Sequence, residues 1–487
     1  MKTKLSYLTL VGVASLLFTT ACQSDAEFLN LNSPTAISAT NYYKTPDEIT
    51  AAVTGAYGGM RGYYQRFFAL TEMPSDNTIS VLGSDGTIGQ YYRLTWTVTD
   101  AEVNSRWSQS YNLIFRCNNV LERINSVTFP DNAVRDRLAG EMKFIRALMY
   151  FNLVQLFGDV PLVLKVILSE EESYTFLREP TAAIYQQIEK DLTEAEAVLP
   201  ARYTAPNVGR VTKGAAKSLL GKVYLTQQKW QQAETKLKEV IDGRSESGYQ
   251  LLANYADVFR EDNGNNAEIV FAVQYTNNSN GEGSNFTLDF IPSLSGNQIV
   301  PTGQGGNNNQ GSTDLFNAFE PNDKRKAVSI DKFVSGGTFY YTRKWFTSRP
   351  LAIANDGNAD WPVIRYSDVL LMYGEALNEN GKTADGLRLG LEPVRTRAGL
   401  TTNLTLTQAQ TRLAFENERR IELCFESHRW FDLLRTNRMV PVMSAFRDAN
   451  LDGTNKEIQV ADYKKRYPIP LSQIQLNPKL TQNPGYQ

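Results

Sequence analysis

The single histidine among 487 residues lies in the stretch with the most chemistry to offer. Residues 416–435 place His428 four positions before Asp432, with Glu426 and Arg429 close by. On a helix that spacing puts the imidazole and the carboxylate on one face, as a general base with an orienting acid. A surface hydrolase would draw on Glu418, Glu426 or His428. The same stretch also sets Glu416 four residues before Arg420, Arg419 three before Glu422, and Asp432 three before Arg435. Apolar Ile421, Leu423, Phe425, Phe431 and Leu434 interleave them. That pattern describes a helix knitted by ion pairs and packed among neighbours, and the structural reading is favoured over catalysis. No G-x-S-x-G elbow, Walker loop or H-E-x-x-H motif occurs. The glycines at 303–306 neither follow a strong strand nor open a helix, so they do not cradle phosphate.

Aromatic residues in loops are the stronger lead for a ligand site. Tyr91, Tyr92 and Trp96 fall near Asp76 and Asn77, and Tyr340, Tyr341, Trp345, Phe346 and Trp361 form a second group. Planar rings stack on the apolar faces of sugars or on peptide side chains, while Asp, Asn or Arg supply directional hydrogen bonds. The expected ligand contacts are Asp76, Asn77, Tyr92, Trp96, Tyr340 and Trp345, with at least two of the rings touching ligand. The plainer alternative is that each ring pins its loop to the scaffold.

Those loops need a frame. Pro46, Asp47 and Glu48 open a helical pattern that runs through Ala56. Residues 58–100 read as a long irregular stretch, 107–124 as helix, 141–157 as a helix apolar on nearly every face and therefore buried, and 180–198 as an amphipathic helix. Residues 213–242 carry Leu220, Gly221, Tyr224, Ala233, Leu237 and Val240 at tetratricopeptide spacing, with Lys217 where that pattern has Trp. Residues 368–398 read as a second helical pair. Between the pairs, 268–275 is strand-like and 277–312 is dense in Asn and Gly. The fold class is mainly α: a tetratricopeptide-like helical-pair scaffold with long irregular loops and a few short strands.

Charge and cysteine usage narrow the function classes. Fifty Lys and Arg against 52 Asp and Glu leave a net charge of −2, so no basic excess exists for nucleic acid. One histidine excludes a multi-histidine metal site, and three cysteines exclude a four-Cys zinc site and a disulfide framework. Lys2 and Lys4 precede an apolar run to Phe18 that is shorter than a membrane span, and Thr19, Thr20 and Ala21 lead to Cys22. Residues 1–21 read as a lipoprotein signal peptide with lipidation at Cys22. Cys117 and Cys424 read most simply as buried free thiols, a disulfide between them being left open.

Several segments in order resemble one family. Residues 141–162 resemble the signature helix of SusD/RagB proteins, and 209–225, 364–376, 418–432, 467–470 and 483–486 resemble its later motifs. Asp25 and Glu27 resemble the acidic stretch that sends such lipoproteins to the cell surface. The resemblance implies a signal peptide over 1–21 and one SusD-like domain over 22–487, its halves at about 22–225 and 265–487. It implies a non-enzymatic lipoprotein of the outer membrane, facing the exterior, that binds an oligosaccharide or polysaccharide. Its implied partner is a SusC-like TonB-dependent transporter. A peptide-binding RagB-like lipoprotein and a helical-repeat adaptor with no small ligand are the alternatives. No cofactor is expected, calcium held by loop carboxylates being left open. Ligand residues in this family lie in variable loops, so the site residues above rest on position and chemistry alone.

Overall fold

The computed structural model describes residues 42–79, 88–277, 280–300, 305–306, 308–346, 356–446 and 458–486. The expected signal segment, Cys22, Asp25, Glu27, Gly303 and Gln304 lie outside the described residues.

Helix α1 (Pro46–Tyr64) starts where Thr45 and Glu48 cap each other's backbone. It runs well past Ala56, into the stretch expected to be irregular. The reason is burial: Met60, Tyr63 and Tyr64 continue the inward face set by Ile49, Val53 and Ala56. α2 (Ala101–Arg123) begins at the Asp100 cap, and α3 (Asn132–Phe157) is buried at nearly every position from Leu138 onward. α4 (Thr181–Val198) lies against α3, fastened by the Arg146–Asp191 pair at 2.8 Å.

α5 (Lys213–Thr226) and α6 (Trp230–Asp242) form the expected helical pair. A Cβ on Gly221 would come within 2.6 Å of Leu237, so only glycine allows this approach. Lys217, the departure from the repeat pattern, reaches across the pair to Glu239 at 2.7 Å. The second pair sets α7 (Tyr366–Glu379) against a short helix, Thr383–Gly386, a π turn, Leu387–Leu391, and α8 (Glu392–Arg397). α9 (Gln408–Glu422), α10 (Arg429–Arg435) and α11 (Met439–Ala445) complete the labelled helices.

The stretch 416–435 is therefore two helices and not one. Phe425 and Ser427 take the left-handed conformation, with φ of 64° and 65°, which ends α9 before α10 begins.

The strands are short: β1 (Thr78–Ile79), β2 (Val160–Pro161), β3 (Arg178–Glu179), β4 (Ile269–Val273), β5 (Gln310–Gly311), β6 (Asp331–Val334), β7 (Thr338–Tyr341) and β8 (Trp361–Arg365). They form antiparallel sheets in the orders β1-β5-β7-β6, β2-β3 and β4-β8. A shared apolar core runs from Ile49 in α1 to Ile469 near the C-terminus.

Candidate functional site

The residues chosen from sequence do not stand exposed on loops. Asp76, Asn77, Tyr92, Trp96 and Trp345 are each at most 4% exposed, and Tyr91, Tyr341 and Trp361 are buried too. Trp96 donates from Nε1 to the Tyr486 hydroxyl at 2.6 Å and stacks on Tyr467 at 4.4 Å. Lys464 sits over Trp96, Tyr463 and Tyr486, 5.0 to 5.2 Å from each ring centre, and burial draws its pKa down to about 8. Trp345 stacks on Trp361 at 5.0 Å, among Phe259, Phe286 and Phe290. These rings pin loops to the frame, which is the plainer of the two sequence readings. Apolar area of that size is more stable removed from water than held out in it.

Asp76 and Asn77 are buried because they hold cations in place. Arg429 grips Asp76 with both arms, Nε to Oδ1 at 2.7 Å and Nη2 to Oδ2 at 2.9 Å. Burial opposes ionisation of Asp76, but Arg429 and Arg420 outweigh it and keep its pKa below the usual value. Asn77 accepts from Arg420 Nε at 2.8 Å and donates to Glu72 at 3.1 Å. Arg420 also reaches Asp314 at 2.6 Å.

Asp76, Asp314, Glu416, Arg420, Arg429 and Arg438 line a cleft of about 450 Å³. The short helix that carries Asp314 also carries Phe316, whose ring meets half-buried Tyr340 at 4.6 Å, with Lys326 Nζ 3.9 Å from the Phe316 ring centre. The structure thus brings Asp76, Asn77 and Tyr340, placed in two separate groups from sequence, to one sheet, β1-β5-β7-β6, and its flank. Sequence reasoning did not mark Asp314 or Phe316, and it assigned Arg420 to Glu416, whereas Arg420 pairs with Asp76 and Asp314.

A larger cleft, of about 1000 Å³, opens between α6, α7 and the π turn. Its floor is Tyr249, Tyr366 and Tyr373 with Leu370, and its rim includes Lys238, Asp242 and Arg388. Sequence reasoning did not mark it. The spacing of Tyr366, Leu370 and Tyr373 on one face of α7 was the available signal.

The histidine stretch is interior. His428 is 7% exposed, and its Nδ1 lies 2.9 Å from Lys222 Nζ. Burial, then Lys222, lowers its pKa to about 3, so it is neutral at pH 7. Glu426 pairs with Lys344 at 2.6 Å and Arg365 at 2.7 Å, and Glu418 pairs with Arg325 at 2.5 Å. Asp432 pairs with Arg435 at 2.8 Å as spaced, but Glu416 pairs with Arg429 and Arg438. Among the described residues, no group of three or more His, Cys, Asp or Glu is placed to hold a metal. Cys117 and Cys424 are free and buried, and burial raises their thiol pKa values to about 12 and about 11. Among the described residues no helix is long and apolar enough to cross a membrane.

Comparison with known proteins agrees with the helical-pair frame. The model of the SusD family matches residues 333–486, and the model described as starch-binding associating with outer membrane matches 27–225. A solved laminarin-binding SusD-like protein is 30% identical, with a TM-score of 0.80, covering 91% of this chain and all (100%) of that one. The chain belongs to the SusD family. Among other SusD relatives, the SusD-like protein P25 of Formosa agariphila is 26% identical over 96% of this chain and 97% of its own. The starch-binding protein SusD of Bacteroides thetaiotaomicron is 24% identical over 88% and 87%. The family resemblance and the mainly α, tetratricopeptide-like fold expected from sequence both hold.

Proposed function

We propose that this SusD-family protein binds an oligosaccharide or polysaccharide outside the cell and hands it, unaltered, to a SusC-like TonB-dependent transporter. In this reading residues 1–21 are removed, Cys22 carries the lipid, and 22–487 act as one unit on the outer face of the outer membrane. The observation that carries it is the match, over nearly the whole chain, to a laminarin-binding SusD-like protein. The geometry supports binding over hydrolysis, because His428, Glu418 and Glu426 are buried in ion pairs and hydrogen bonds between helices.

Of the six contacts chosen from sequence, Tyr340 remains as a direct ligand contact, with Phe316 beside it as a stacking platform. Asp76 and Asn77 act indirectly, by holding Arg429 and Arg420 at the cleft. Tyr92, Trp96 and Trp345 support the loops.

Affinity electrophoresis through gels containing laminarin, starch or xylan tests the binding. At least one polysaccharide should retard the wild-type protein, and Tyr340→Ala should reduce the retardation. Wild-type protein that runs like an inert standard in every gel contradicts the reading. For delivery, the transporter should co-purify from detergent-solubilised envelopes, and Cys22→Ala should release the protein from the membrane fraction.

A further inference from the structure

We propose that the cleft between α6, α7 and the π turn binds an acidic oligosaccharide, one carrying uronate carboxylates or sulfate esters, through Arg244, Lys238 and Arg388. The choice of a sugar over other polyanions rests on the glycan-binding reading. The cleft itself is separate from the one at Asp76 and Arg420.

Three cations reach this cleft from three elements. Lys238 stands on α6, Arg244 on the short helix Arg244–Ser247 that follows it, and Arg388 on the π turn. Among the described residues that line the cleft, Asp242 is the one acid. Lys238 pairs with Asp242 at 2.6 Å and Arg388 with Asp385 at 3.0 Å, each acid lying three or four residues away along the chain. All four of those side chains are more than half exposed, and pairs of that kind are weak, so an incoming anion can share both cations. Arg244 forms no ion pair among the described residues. Its neighbour is neutral: burial raises the pKa of the Tyr366 hydroxyl and Arg244 opposes that rise, so the guanidinium lies beside the phenol. Arg244 is therefore the cation of this cleft whose charge is not already matched.

The floor governs what those charges can do. Tyr249, Tyr366, Leu370 and Tyr373 are 3–7% exposed, so they form an apolar wall beneath the cations and not a surface for stacking. A concave site with such a wall focuses the field of its charges on whatever enters. A guanidinium grips a planar oxyanion through two parallel hydrogen bonds, which suits a carboxylate and, with similar oxygens, a sulfate ester. At about 1000 Å³ the cleft is at the upper end of the range for ligand sites, roughly 300–1,000 Å³, and larger than one small anion would fill. Anionic groups recurring along a short sugar chain match cations set on three elements.

Calorimetric titration of the mature chain with oligogalacturonate, oligomannuronate and a carrageenan tetrasaccharide tests the proposal, the first two as carboxylate arms and the third as the sulfate arm. At least one should bind, and its affinity should fall at least about tenfold as sodium chloride rises from about 50 to about 500 mM. Arg244→Glu, at an exposed position, should weaken that binding at least about tenfold without lowering the melting temperature. Arg388→Glu should weaken it in the same direction, and Tyr340→Ala should leave it intact. Acidic sugars that fail to bind while laminarin, starch or xylan does bind overturn this proposal and leave the glycan reading standing. Acidic-sugar binding indifferent to both Arg244→Glu and Arg388→Glu also overturns it. So does binding of poly-glutamate that Arg244→Glu abolishes, with the acidic sugars silent, which would make the cleft a site for acidic peptide. Silence of the wild-type protein towards acidic and uncharged sugars alike overturns both readings.

Discussion

Glu72 Oε1 accepts the backbone N–H of Phe425 at 2.9 Å, joining positions 353 residues apart. Its other oxygen accepts from Ser427 at 3.0 Å. Two left-handed residues, Phe425 and Ser427, thus turn their N–H groups onto one carboxylate, as in a backbone nest for an anion. The contact stabilises the break between α9 and α10, and Asn77 hangs from the same carboxylate.

Stability should carry a pH signature of this contact. Burial raises the Glu72 pKa from 4.5 to about 7, against the hydrogen bonds from Asn77, Phe425 and Ser427. The folded chain therefore holds this proton more tightly than the unfolded chain, and the contribution of Glu72 to stability falls as pH rises from 4.5 to about 7. Asp289 and Asp360, raised by burial to about 6, act in the same direction, and His428, lowered to about 3, acts in the opposite one. The difference between wild type and Glu72→Gln isolates the one group. The variant should lose about 1–3 kcal/mol, because its amide turns an N–H toward a backbone donor, and the loss should shrink as pH rises. Melting temperatures across that window check this.

Trp96→Ala should act on folding. It removes a ring buried against Tyr467 and Trp430 and the partner of Tyr486, at a cost of about 3–5 kcal/mol. Denaturant unfolding measures the loss. Glycan affinity, measured where the variant is still folded, should stay within about twofold of wild type.

Glu422→Gln should be among the more damaging single changes. Glu422 accepts from Arg365 at 2.9 Å, Arg397 at 2.6 Å and Arg325 at 3.1 Å, and those cations outweigh burial to hold its pKa far below the usual range. Neutralising it leaves buried guanidinium groups short of countercharge, at about 3–5 kcal/mol. Urea unfolding should show a lower midpoint with an unchanged slope.

Gly374→Ala tests how closely α7 meets its neighbours. The added Cβ would stand 2.4 Å from the Phe415 ring and 2.8 Å from the Gly386 carbonyl oxygen. Overpacking here should cost about 1–3 kcal/mol in thermal unfolding, although alanine is the better helix former.

What could be read from the sequence was local. Gly221, Ala233 and Leu237 announce their helical pair because the period and the small residues lie within one segment. Trp96 could not be placed that way: the partner that buries it, Tyr486, is 390 positions further on. The break before α10 was hidden for a similar reason, since Glu72, which accepts its N–H groups, belongs to the other half of the chain. The cleft under Tyr249, Tyr366 and Tyr373 needed two helical pairs set side by side, whereas the residues chosen for chemistry were judged by their loops.

The most direct test of glycan capture is a calorimetric titration of the mature protein with laminarin, starch and xylan, followed by sizing of the recovered polysaccharide. Saturable binding of at least one, with a Kd between about 1 μM and 1 mM, and an unchanged chain length is the predicted result. No saturable heat with any of them, or shortened chains after incubation, contradicts it.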